Sequence, residues 1–194
     1  MLKTLLFREI RYNDNIEDEL AKNEEDLKND SNNIELLQNI AAIYHALRKN
    51  VKAIEIYDKI VNLRPRDHEM KAFLGYLYYE NEELEEAEKH LNESLNLNPM
   101  EPFVLFLLGN IYSRRGDVVK AIDNYEFAIF LDFDIYTAHI EFARKYEHMG
   151  RHKRALEEYR AAYDIDSRDD ALLDKMEYLE KKAECKNTGK CKCE

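Results

Sequence analysis

Cys185, Cys191 and Cys193, spaced Cys-x5-Cys-x-Cys near the end of this 194-residue chain, are the side chains best suited to chemistry. Their lysine neighbours favour the thiolate, the form that attacks electrophiles and binds metal. Three thiolates are one ligand short of a closed structural zinc site, and a tail without periodicity does not hold them in place. A metal or thiol-redox role therefore rests on the tail alone. His148 and His152 have a spacing seen in metal sites, but Gly150 between them assigns them to different helices. The chain has no HExxH, no GxSxG and no glycine-rich phosphate loop, and its five glycines cannot build an anion cradle. The expectation is a protein that is not an enzyme and takes no cofactor.

The elements that carry these residues follow a fixed interval of 34. Gly75, Tyr78, Ala87, Leu91, Leu97 and Pro99 recur one step on as Gly109, Tyr112, Ala121, Tyr125, Leu131 and Phe133. A second step gives Ala143, Tyr146, Ala155, Tyr159, Ile165 and Ser167, and one step back gives Ala41, Tyr44, Ala53, Tyr57, Leu63 and Pro65. Each unit reads as two amphipathic helices around a turn, for instance residues 102–115 and 118–131 with Gly116-Asp117 between them. Glycine can end the first helix in a left-handed conformation and Asp117 can cap the second. A large ring at Tyr112 fills space between units, while Gly109 and Ala121 let paired helices approach.

A 34-residue period with small-aromatic-small-aromatic spacing and a terminal proline resembles the tetratricopeptide repeat family, in register over residues 34–167. The resemblance implies an all-α fold, a right-handed α-solenoid of antiparallel helix pairs. Departures are Lys71 and His139 where the family favours a bulky apolar residue, Ile60 and Ser94 for alanine, and Phe133 and Ser167 for proline. Asp132, Asp134 and Asp166 are expected to cap helices at those last two junctions.

The frame divides the chain into a degenerate N-terminal repeat (1–33), four repeats (34–67, 68–101, 102–135 and 136–169), a capping helix (170–184) and a disordered Lys/Cys tail (185–194). One extended array is expected rather than two globular domains. In the first repeat Glu19 replaces a small residue, so its helices, at about 2–12 and 16–29, should pack loosely. Leu2, Leu5, Leu6, Phe7 and Ile10 form an apolar stripe that either caps the array or docks elsewhere, including in a neighbouring molecule.

In this family the first helix of each repeat lines a groove that binds a partner peptide or helix. The resemblance places Glu35, Gln38, Ala42 and His45 there from repeat one, and Glu69, Ala72, Tyr76 and Tyr79 from repeat two. Repeat three contributes Phe103, Phe106, Asn110 and Arg114, and repeat four Thr137, Ile140, Arg144 and His148. Tyr76, Tyr79, Phe103 and Phe106 are expected as exposed aromatic anchors; the bland alternative is that they only pack repeat against repeat. Arg114 and Arg144 either orient a ligand carboxylate or satisfy Glu80 and Glu147. The Lys/Asn/Arg clamp by which some members hold the acidic C-terminus of a heat-shock protein is absent: Gln38, Ala42, Phe73, Phe103 and Leu107 stand at those positions.

Net charge is −11; residues 181–194 hold five Lys and two Glu, a local +3 that leaves −14 on the body. Binding of nucleic acid through phosphates is disfavoured. No stretch approaches the ~20 apolar residues of a membrane span, and three cysteines confined to the tail fit a reducing compartment, so a cytoplasmic protein is expected. The leading reading is a protein-interaction scaffold. Because residues 146–156 resemble a self-assembling, organelle-associated branch of the family, a homo-oligomeric scaffold is the alternative.

Overall fold

The computed structural model describes residues 15–188, with the side chains of 183–188 excepted. Among the described residues there are ten helices and no strand: α1 Ile16–Asn29, α2 Ile34–Ala46, α3 Asn50–Leu63, α4 His68–Glu80, α5 Leu84–Leu97, α6 Pro102–Arg115, α7 Val118–Phe130, α8 Ile135–His148, α9 His152–Ile165 and α10 Asp170–Thr188. They form two compact units, residues 1–131 and 132–194. The second unit holds the fourth repeat and α10. The fold is that of an all-α helical-repeat solenoid.

Each hairpin is closed by the same device. Arg48, Glu82, Gly116 and Gly150, spaced 34 apart, all have positive φ, at 58°, 69°, 77° and 67°. Only two of the four are the glycine that this conformation favours. Asn33, Asp67, Asp117 and Asp134 cap α2, α4, α7 and α8 by accepting from the backbone N–H of Leu36, Met70, Lys120 and Thr137. The expected caps at the last junctions are corrected in two places. Asp132 takes a left-handed conformation (φ 59°) instead of capping. Asp166 binds the backbone N–H and guanidinium of Arg168, and Asp169 accepts from the Ala171 N–H at 3.2 Å. The last helix runs to Thr188, so the tail expected to be disordered from 185 begins as helix; Cys185 belongs to α10, while Cys191 and Cys193 lie outside the described residues.

Within the first unit the helices stack in chain order. Phenol groups latch each hairpin to the helix before it: Tyr44 donates to Glu24, Tyr78 to Asp58 at 3.3 Å and Tyr112 to Glu88 at 2.7 Å. Burial and the neighbouring carboxylate push the Tyr78 phenol up to about 12, so the hydroxyl stays a donor at any physiological pH. Ser94, standing where the family has alanine, spends its hydroxyl on the His68 carbonyl at 2.8 Å. α1 has no buried residue; the helix expected at about 2–12, and with it the loose packing expected from Glu19, falls outside the described residues.

The small residues sit where backbones come closest. A methyl group on Gly75 would strike Leu91 and one on Gly109 would strike the Tyr125 ring. The aromatic ring cannot fold aside as leucine can. Gly109→Ala should therefore destabilise the protein by about 1–3 kcal/mol through overpacking, despite alanine's better helix propensity; Gly75→Ala should cost less, and thermal melts of the two variants rank them.

Lys71 occupies an apolar register position by pairing with Glu93 across α4 and α5. The hydrogen bond from the Lys71 ammonium holds the Glu93 carboxyl below the usual carboxylate range, against the opposing push of partial burial. A lowered folded value means stability that is present above the ordinary carboxylate pKa and lost as pH falls through the folded one. Acid titration of Glu93→Gln should accordingly show a shallower loss of stability below about pH 4.5 than the parent.

Candidate functional site

The first helices of repeats two and three, α4 and α6, are apolar on nearly every side. In α6 each residue from Phe103 to Tyr112 is buried, the helix packing against α4, α5 and α7. On the groove side, ring stacks on ring. Tyr76 lies 6.0 Å from His45, 5.9 Å from Phe73 and 6.3 Å from Phe103, measured between centroids. Phe103 and Phe106 are 6.4 Å apart, and Phe106 is 6.3 Å from Tyr125. These separations suit tilted aromatic pairs.

The sequence places these rings on the groove face but expects them open to solvent, and here the structure corrects it. Tyr76 and Phe106 are 0% exposed, Tyr79 2% and Phe103 4%. Inter-repeat stacking explains part of this, since Tyr76 of repeat two meets Phe103 of repeat three. Ala72, too small to shield itself and one turn before Tyr76, is only 1% exposed.

Polar groups frame the apolar floor. The Tyr125 hydroxyl donates to Asn110 Oδ1 at 2.6 Å, which fixes the amide and leaves its NH2 group, itself buried, without an acceptor among the described residues. A buried donor of this kind gains from any carbonyl brought to it. Arg114 pairs with Glu82, and its guanidinium lies 5.7 Å from the Tyr79 ring. Glu35 and Glu69 are exposed on the first helices of repeats one and two. At the entry of α6 burial raises the Glu101 carboxyl above the usual range.

The groove positions of repeat four belong to the second unit. There Ile140 is half-buried and Thr137 and Arg144 are exposed. Glu147, one of the two alternatives offered for Arg144, pairs with Lys175 at 2.9 Å and accepts from the Tyr159 hydroxyl at 3.2 Å. Sequence reasoning missed the pair His139–Glu158, whose Nδ1 and Oε2 stand 2.7 Å apart in the interior between α8 and α9. Its only signal was a histidine at an apolar register position. Among the described residues no group of three or more His, Cys, Asp or Glu could hold a metal ion.

The tetratricopeptide repeat family profile matches residues 34–67 and 68–99, and a second profile of the same description matches residues 106–170. Among curated proteins, the BBSome complex member BBS4 of Bos taurus is 31% identical over 93 residues, and that of Mus musculus 32%. The matched segment is 48% of this chain but only 18% of either relative's length. Among solved structures the chain resembles MamA, with a TM-score of 0.60 and 24% identity over 81% of this chain and 92% of that one. It also resembles TTC0263, a tetratricopeptide repeat protein of Thermus thermophilus, with a TM-score of 0.54 and 23% identity over 84% and 90% of the two chains. At these identities the likeness is one of fold.

Proposed function

We propose, from the premise that this chain belongs to the tetratricopeptide repeat family, that it is a non-enzymatic interaction scaffold in which the groove face of α2, α4 and α6 holds an apolar helix or peptide of a partner protein. The observation that carries this reading is the row Tyr76, Phe103 and Phe106 flanked by the donor of Asn110. The rings would form the apolar floor beneath the partner, a partner carbonyl would accept from Asn110, and Arg114 would set orientation. On the second unit, Ile140 and Arg144 would offer a contact of their own. Among the described residues no helix is long and apolar enough to cross a membrane, and a cytoplasmic place of work is part of the same proposal.

A photo-crosslinking residue at Tyr79, compared with one at Glu85 on the outer face of α5, tests it. Crosslinked partner is expected from Tyr79 alone; equal capture at both positions would remove the groove from the account.

A second reading, a self-assembling scaffold, is supported by α7. Val119, Phe127 and Phe130 are exposed on its outer side, where the same register holds Glu85, Glu93 and Asn96 in repeat two and Lys153, Ala161 and Asp164 in repeat four. Sedimentation at rising concentration should then show oligomers that Phe127→Glu with Phe130→Glu abolishes.

A further inference from the structure

We infer that two copies of this chain close on each other through α7, in a two-fold pairing that ends at the dimer. The inference rests on the self-assembly reading and names its interface and its stopping point.

The face concerned is one that a helix inside the stack keeps covered. α3 packs against α2 and α4 and buries Ile54 at 6% exposure and Val61 at 8%. At the same register α7, the last helix of the first unit, leaves Ile122 48% and Ile129 57% exposed. Val118 and Val119 precede them, and Phe130 follows at 77%. At 3.6 residues per turn, Val118, Ile129, Ile122, Glu126, Val119 and Phe130 share about one third of the helix circumference, with a single charge among them. Phe127 borders that stripe, its ring centroid 6.2 Å from that of Phe130.

The size of the stripe fits an interface. Its exposed fractions leave on the order of 600 Å2 of apolar surface in water, the upper end of a monomer's largest patch. Two such faces closed on each other bury on the order of 1,200 Å2, where stable protein interfaces begin.

The choice of occupant follows from what the rest of the molecule exposes. Among the described residues no other helix exposes more than two large apolar side chains. At the opposite end of the first unit α1 presents Glu17, Asp18, Glu19, Glu24, Glu25 and Asp26, all exposed. A head-to-tail row of copies needs a second apolar face to receive α7, and these surfaces do not supply it. The face that matches α7 is the α7 of a second copy. A patch that meets itself is isologous and closes after two chains.

Glu126 gives this pairing a signature. It is exposed on the stripe, so closure takes its carboxylate out of water. Lys120, the cation of α7, pairs with Asp117 at 3.3 Å and lies 5.0 Å from the Tyr112 ring, away from Glu126. A carboxylate desolvated without a cation opposes association.

The experiment uses the full chain. Sedimentation equilibrium at rising concentration should approach twice the chain mass and stop there. Ile129→Asp should weaken the association at least about ten-fold, and Glu126→Leu should strengthen it by a similar factor. Both side chains are exposed in the single chain, so neither change enters the core. Should Ile129→Asp misfold by circular dichroism, Val119→Asp tests the same contact. A photo-crosslinking residue at Ile122 should join α7 to the α7 of a second copy.

Mass that climbs past two chains, or a crosslink from Ile122 to another segment of a second copy, would overturn the closed pair while leaving self-assembly in place. A single chain at every concentration would remove both. A crosslink within one chain would show that the cover is the chain's own, and a dimer indifferent to Ile129→Asp and Glu126→Leu would place the interface elsewhere; either result overturns the inference.

Discussion

Tyr76→Ala combined with Phe106→Ala should unfold the first unit, not merely empty its groove. Each ring is wholly buried, and truncating a buried aromatic side chain to alanine costs about 3–5 kcal/mol in lost transfer energy and residual cavity. Through Phe103 the two sites share a stack, so their costs will not simply add. Even so the total approaches the whole stability of a small domain, roughly 5–15 kcal/mol. Circular dichroism and a urea titration would check it; a folded double variant with a near-parental midpoint would show that the rings carry little of the core. Loss of partner capture by this double variant would thus report unfolding, which is why the test of the groove uses a crosslinker instead.

Glu158→Ala should destabilise the second unit by about 3 kcal/mol, since removing one member of a buried hydrogen-bonded pair leaves the other desolvated without its acid. His139 and Glu158 are both buried and 2.7 Å apart. Replacing both, by His139→Leu with Glu158→Met, should recover most of the loss, because an apolar pair of similar volume asks for no compensating charge. Melting curves of the single and double variants decide it: a double variant no better than the single would mean that the pair does more than satisfy itself.

The 34-residue interval made the helices legible: α1 at Ile16–Asn29 and α6 at Pro102–Arg115 stand where periodicity puts them, and α7 ends one residue early. Tandem repetition explains this success, for each turn was read four times. Gly109 was also legible as a point of close approach, since a small residue opposite a ring has one packing solution. Three features were not. Periodicity says which side of α4 and α6 faces the groove but not what lies over it, so Tyr76 and Phe106 were expected in solvent. The acid that accommodates His139 is on another helix, 19 residues away, and does not repeat. The division after Leu131 leaves no mark in the register.

The recurring left-handed joint has a consequence for the order in which the hairpins come apart. Gly116 and Gly150 adopt it freely, whereas Arg48 and Glu82 hold it against their own Cβ, at a cost of about 1–2 kcal/mol apiece. The hairpins of repeats one and two are thus kept bent under tension, like two sprung clasps beside two slack ones, and the end of the first unit nearest the chain's start is where warming should first let water in.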